Sequence, residues 1–310
     1  MYQKTTVIMN PASAGGKTAR HLGTIKNMIV SHICKTPDFR VTEKPWDAAL
    51  FTKNAIEQDA SLLIVAGGDG TIQEVVNGYF DKNRMIGAKC SLGILNCGTG
   101  GGLAQSLGIP GSIKSQIDMI REGSVHKIDC GRVQYYDHKH QYKTRYFINE
   151  LQFGIGGTVV RQTGILKKRL GGNLAFGITT LKSVFTHPNQ HLQIKVDAEK
   201  DINGLFTGIV VANGAYTGGG MNLTPGAKTD DGFFNILLIK DLSIKDRLIA
   251  FSKIYSGKHI KNGKFSYFTA KTLNVSSKEP VLVEADGELL GNLPCSVQIV
   301  PKAIPVLVAN

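Results

Sequence analysis

Residues Leu62 to Gly78 read LLIVAGGDGTIQEVVNG. An apolar run, Leu62-Leu63-Ile64-Val65, enters the turn Gly67-Gly68-Asp69-Gly70-Thr71. It leaves as a segment with apolar positions at Ile72, Val75, Val76 and Tyr79. Such a run suits a strand covered on both faces of a parallel sheet. Glycines let main-chain N–H groups close on a ligand, and the helix N-terminus that follows adds partial positive charge, so the turn suits phosphate. Asp69 would repel phosphates unless a metal ion or a sugar hydroxyl lies between. That points to a magnesium–nucleotide arrangement, with a plain Asx turn as the alternative. Thr71 and Glu74 have the spacing of a capping box, which makes Glu74 at least as readily structural as catalytic.

A second glycine turn, Leu95 to Gly108, reads LNCGTGGGLAQSLG and follows another apolar run, Leu92 to Leu95. Thr99 could face the same ligand at the edge of the sheet, where α/β proteins bind ligands. The alternative is a loop before a short helix that ends at Gly108 and is stopped by Pro110. Near the end of the chain, VLVEADGELL places Asp286 and Glu288 on a tight turn between strands. Either carboxylate could take a proton from a hydroxyl, or the segment is an ordinary β-turn. Two better-known nucleotide motifs fail. The first glycine of a Walker loop ending at Gly16-Lys17-Thr18 would fall on Pro11, and Leu103 stands where a dinucleotide fingerprint needs its third glycine.

The first part of the chain alternates strand-like and helix-like segments. Thr5 to Met9 is β-branched. Leu22, Ile25, Met28 and Ile29 have helical spacing, and Trp46 to Ile56 predicts another helix. This alternation predicts an open α/β sheet. Beyond about residue 127 short strand-like runs dominate, at Leu192 to Val196, Phe206 to Val211, Phe233 to Ile239, Leu273 to Val275, Val281 to Val283 and Val297 to Val300. One helical segment, Ile244 to Tyr255, interrupts them. The expectation is an α/β nucleotide-binding domain over residues 1–127, rejoined by a tail at 297–310, and a β-sandwich-like substrate domain over residues 128–296.

The 310 residues are 42% apolar and 19% charged, a profile of folded soluble proteins. Met1 to Asn10 reads as a first strand and not as a signal peptide, which argues for a cytoplasmic protein. The cysteines, Cys34, Cys90, Cys97, Cys130 and Cys295, are odd in number and lack a Cys-x-x-Cys pair, so neither a disulfide framework nor a zinc site is signalled. The net charge of +12 attracts polyanions, or serves solubility alone.

Taken together, these segments resemble the diacylglycerol kinase catalytic family, which includes sphingosine kinases and bacterial lipid kinases. The matching stretches are Asn10-Pro11-Ala12-Ser13-Ala14-Gly15-Gly16, GGDGTIQEVVNG, LGILNCGTGGGLAQSLGIP, GGGMNLTPGAKTDDG from Gly218 to Gly232, and Asp286-Gly287-Glu288. They occur in the family's order. The resemblance implies that ATP and substrate share a cleft between the domains. It implies that Asn10, Pro11, Ala12, Ser13, Ala14, Thr42, Gly67, Gly68, Asp69, Gly70, Thr71, Ile72, Gln73 and Thr99 contact ATP. Glu288 is then the proton acceptor, with Asp286 close by. Asp231 would hold a structural Mg2+ together with Lys228 and Phe233, the latter two through carbonyl oxygens, because magnesium takes oxygen ligands.

This reading implies an ATP-dependent kinase acting on a lipid alcohol. The basic excess then serves peripheral contact with an anionic membrane surface, with Lys167-Lys168-Arg169 and Lys258 to Lys264 as candidate contacts. No nucleic acid partner is expected, and a homo-oligomer is compatible with the sequence. One departure stands out. Where the family's third motif reads Gly-Thr-x-Asn-Asp, this chain has Gly101 and Gly102, and Asn96 replaces the usual proline. A soluble-substrate kinase of the NAD kinase type and a nucleotide- or lipid-binding homologue without activity are the competing expectations.

Overall fold

The computed structural model describes residues 4–98, 100–170 and 172–309; for residues 167–170, 172 and 173 it describes the main chain alone. The chain divides into two compact units, residues 1–129 with 302–310 and residues 130–301.

In the first unit the strands run parallel in the order Asp38–Val41, Thr5–Met9, Leu62–Gly67, Ser91–Asn96 and the end of the chain, where Val306 pairs with Leu92. Every residue of Thr5–Met9 and Leu62–Gly67 is buried, which is why these strands read as continuous apolar runs. The helices are α1 (Leu22–His32), α2 (Asp47–Glu57), α3 (Asp69–Gly78), α4 (Gly102–Ser106) and α5 (Ile113–Glu122). Ile25 and Ile29 of α1 and Ile117 and Ile120 of α5 share a core with Val7, Ile64 and Leu95.

The expected capping box does not form. Helix α3 starts at Asp69 with Gly68 as an extended N-cap and no side-chain cap bond, so Thr71 lies inside the first turn. The Thr71 hydroxyl accepts from Asn10 instead, and Glu74 accepts the Ala48 N–H of α2 at 3.3 Å.

The second unit is built on antiparallel strands. Lys200–Ala212 is their centre: its first half pairs with Gln190–Val196, and its second half lies between Phe234–Lys240 and Glu150–Gly154. Leu282–Ala285 joins Glu150–Gly154 to the start of the long strand Glu288–Val308. The core between these strands includes Phe147, Phe153, Phe234 and Val297, with Phe147 and Phe234 stacked at 5.6 Å between ring centroids. This is the expected sandwich-like class, but it carries more helix than expected. Helices α6 (Ile155–Leu170) and α7 (Gly172–Thr186) precede α8 (Ile244–Lys253). They escaped the sequence reading because α7 is rich in β-branched residues, among them Ile178, Thr179 and Thr180, and carries apolar residues on its buried face as well as its exposed one. Among the described residues, no helix is long and apolar enough to cross a membrane.

Candidate functional site

The first unit gathers its glycine-rich segments at the carboxyl ends of its parallel strands. Gly67 sits so close to Thr71 that a Cβ would come within 2.6 Å of the Thr71 Cβ. A Cβ on Gly98 would meet the Gly68 Cα at 2.6 Å. The two glycine turns therefore touch main chain to main chain, and side chains at these positions would force them apart.

Polar side chains lock the arrangement. The Asn10 amide donates to the Thr71 hydroxyl at 2.8 Å, while its oxygen accepts the Ala12 N–H at 2.9 Å. The Gly68 N–H donates to Ser13 Oγ at 3.2 Å. Thr42, just past the strand Asp38–Val41, donates its N–H to the Met9 carbonyl at 2.9 Å. Ala14, Gly15 and Gly16 all have positive φ, at 53°, 68° and 88°, and a Cβ on either glycine would meet nothing within 4 Å. That left-handed run leaves open space beside the main chain. Pro11 and Ala12 lie at the surface of the same turn, whereas Ile72 is fully buried and could meet a ligand only through its main chain. Gln73 is also buried, and Gly70 is half-buried in the first turn of α3. Thr99 lies outside the described residues.

Asp69 joins the two glycine turns. Its Oδ2 accepts the Gly101 N–H at 3.0 Å, and Gly102 contributes a second main-chain bond. Its Oδ1 is buried without a partner among the described residues. Burial holds its carboxyl above the ordinary aspartate range despite those two bonds. A buried, unsatisfied carboxylate oxygen is costly unless something binds it, and a hydrated magnesium ion or a ligand hydroxyl fits that need. The glycines at 100 and 101 belong to the same geometry. A Cβ on Gly100 would stand 2.5 Å from Asp69 Oδ2, and Gly101 adopts a φ of +62°.

In the second unit the turn at Asp286-Gly287 has positive φ at both residues, 47° and 84°. Asp286 is buried and its carboxylate is held by main chain: Oδ2 accepts the Ile148 N–H, and Oδ1 accepts those of Asn149 and Glu150, each at 2.9 Å. This carboxylate organises the turn and has little freedom to shuttle protons. Glu288, by contrast, is exposed at the start of its strand. A third carboxylate, not singled out from sequence, lies beneath: Glu284 is 1% exposed and accepts the Gly287 N–H at 3.0 Å. Burial, followed by its neighbours Asp286 and Glu288, pushes Glu284 up to about 8. Its signal was its place two residues ahead of the turn, in a strand whose alternate residues Val283 and Ala285 enter the core.

Lys228, Asp231 and Phe233 lie on the exposed segment before Phe234–Lys240. Asp231 Oδ1 accepts the Phe233 N–H at 3.1 Å, and the Lys271 ammonium stands 4.9 Å from the centre of the Phe233 ring. Among the described residues no group of three or more His, Cys, Asp or Glu side chains is placed to hold a metal ion, so any magnesium here would lean on carbonyl oxygens. Of the basic segments, Lys258, Lys261 and Lys264 are exposed, and Lys264 pairs with Asp246 at 2.9 Å. The side chains of Lys167, Lys168 and Arg169 lie outside the described residues.

Comparison with known proteins follows this division of the chain. Residues 4–133 match the diacylglycerol kinase catalytic domain, and residues 150–308 match the YegS C-terminal NAD kinase beta sandwich-like domain. The chain belongs to the family of the YegS C-terminal NAD kinase beta sandwich-like domain, here preceded by a segment that matches the diacylglycerol kinase catalytic domain. A diacylglycerol kinase of Staphylococcus saprophyticus is 29% identical over 310 residues, covering 100% of this chain and 97% of that one. One from Staphylococcus carnosus is 28% identical, covering 96% and 92%. Among solved structures, a putative diacylglycerol kinase from Bacillus anthracis matches with a TM-score of 0.79 at 22% identity, over 100% of this chain and 98% of its own. Yeast NADH kinase complexed with NADH matches with a TM-score of 0.57 at 14% identity, covering 100% and 84%. Family membership makes a phosphotransferase with ATP as the phosphate donor the coarse reading of this member.

Proposed function

We propose that this chain transfers the γ-phosphoryl group of ATP to the hydroxyl of a diacylglycerol-like lipid, at the cytoplasmic side of a membrane. The observation that carries the reading is Asp69. It sits in the first glycine turn, its carboxylate accepts main-chain N–H groups of the second, and it keeps one buried oxygen free. Phosphoryl transfer asks little covalent chemistry of the protein; it asks for positioning and for neutralisation of phosphate charge. The segments Asn10 to Ala14, Thr42, Gly67 to Gln73 and Thr99 would hold ATP. Asp69 would hold the magnesium bound to it, and that ion would offset the phosphate charge.

The second unit supplies the acid–base group. Asp286 is spent on three main-chain N–H groups, which leaves the exposed Glu288 to take the proton of the acceptor hydroxyl. Glu284 beneath would keep the turn in place. Lys228, Asp231 and Phe233 would hold a second, structural magnesium ion.

A panel tests this reading: labelled ATP and magnesium with diacylglycerol, a sphingoid base, NAD and fructose 6-phosphate. Label in the lipid alone supports it, and label in NAD alone overturns it. A second reading has a specific observation behind it. Gly101 and Gly102 stand where the family carries Asn and Asp, so a homologue that binds nucleotide without turnover would give no label anywhere while ATP still raises the melting temperature.

A further inference from the structure

Helices α7 and α8 each leave a row of large apolar residues in solvent. On α7 the side chains facing solvent are Leu174, Ile178, Leu181 and Phe185, which are 58%, 44%, 47% and 50% exposed. Their spacing of four, three and four places them on one stripe. Inward, α7 carries Ala175, Thr179, Ser183 and Val184. The Thr179 hydroxyl lies 2.6 Å from that of Thr163 on α6 and donates to the Ala175 carbonyl at 2.9 Å.

Helix α8 shows the same exposure, although Ala250 packs on the apolar core. Its one buried residue is Arg247, while Ile244, Leu248 and Ile249 stay largely exposed. The Arg247 guanidinium donates to the carbonyls of Val184 and His187, at 3.2 and 2.6 Å, and to Asn189 Oδ1 at 2.6 Å. It pins α8 to the end of α7, so the two apolar stripes lie on neighbouring elements. Large apolar side chains left in solvent in rows are not what folding in water rewards, and exposed apolar surface of this kind marks an interaction site.

We infer that this face docks the chain on an anionic lipid surface, with the apolar stripes entering the acyl boundary and the bordering lysines meeting the headgroups. The inference deepens the lipid-acceptor reading and rests on it. Charge selects the occupant. Lys182 is the single charged residue in α7 from Leu174 onward, and Lys245, Lys253, Lys258 and Lys261 are exposed on α8 and just beyond it. The nearby acids are Asp241 and Asp246, and Asp246 is neutralised by Lys264 at 2.9 Å. Long lysine stems lie along apolar surface and carry their charge to a headgroup layer, which is the pattern of interfacial helices. A second copy docked symmetrically would set these lysines against their own equivalents, which disfavours self-association here.

The test is flotation of the full chain with phosphatidylcholine vesicles, with and without phosphatidylglycerol. Binding should require phosphatidylglycerol and weaken as salt rises. The double variant Ile178→Ser, Leu181→Ser should bind roughly tenfold more weakly or worse, with unchanged circular dichroism and unchanged ATP binding. Leu181→Trp should give a fluorescence blue shift that appears only on those vesicles. Unaltered vesicle binding by the double variant overturns the inference. So does light scattering that shows a dimer split by the same variant. A short-chain, water-soluble acceptor separates the two claims: vesicle binding without turnover on any lipid defeats the kinase reading alone, whereas turnover without vesicle binding defeats the docking face alone.

Discussion

The Asp69 carboxylate accepts the Gly101 N–H at 3.0 Å, so one side chain couples the two glycine turns of the first unit. Asp69→Asn keeps an acceptor for Gly101 and removes the charge. Turnover should fall by about 100-fold or more, the usual effect of deleting one preorganised electrostatic group. The melting temperature should stay near that of the parent. A variant retaining most of its turnover would show that the free oxygen of Asp69 has no part in phosphoryl transfer.

Gly101 is in the left-handed region, where asparagine is tolerated and β-branched residues are not. Gly101→Asn should therefore fold with nearly the parent stability, and Gly101→Val should lose about 1–3 kcal/mol. Gly100→Ala is the harsher change, because its Cβ would press on Asp69 Oδ2 at 2.5 Å. Chemical denaturation ranks the three, and ATP binding by calorimetry should fall most for Gly100→Ala.

Asp286 and Glu288 share a turn but should separate cleanly by mutation. Asp286→Ala leaves three buried main-chain N–H groups without their acceptor, a loss of about 3 kcal/mol or more. Glu288→Gln, at an exposed position, should leave stability within about 0.5 kcal/mol while strongly reducing turnover. If Glu288→Gln turns over at the parent rate, the proton acceptor lies elsewhere.

Glu284 makes stability depend on pH. Burial raises its carboxyl from 4.5 to about 8. Below 4.5 the folded and unfolded states are both protonated there, and this group costs nothing. Between 4.5 and 8 only the unfolded chain releases the proton, so stability falls as pH rises, by an amount on the order of a few kcal/mol. Glu284→Gln should flatten that part of the stability profile and be more stable than the parent at pH 8. Parallel slopes for the two proteins would rule the mechanism out.

What the sequence made legible was local. The buried strand Leu62–Gly67, the glycine turn after it and the Asp286-Gly287 turn each announce themselves within a few residues, through apolar continuity and glycine placement. What it hid depends on partners far along the chain. The acceptor role of Asp286 is completed by N–H groups 136 to 138 residues away. Glu284 looked like an ordinary strand residue until the sheet closed over it. Helices α6 and α7 were hidden for another reason. Their β-branched, threonine-rich stretch resembles strand, and apolar residues on both the buried and the exposed face of α7 blur its helical period.

The pairing of Val306 with Leu92 has a consequence for biosynthesis. The sheet edge beside Ser91–Asn96, the strand that feeds the second glycine turn, is filled by a segment synthesised after the whole of residues 130–301. During translation the whole of residues 130–301 emerges while that edge is still bare. The first unit is thus completed only after the second has been made, and a chain cut short before residue 302 would present an open parallel edge to any passing strand.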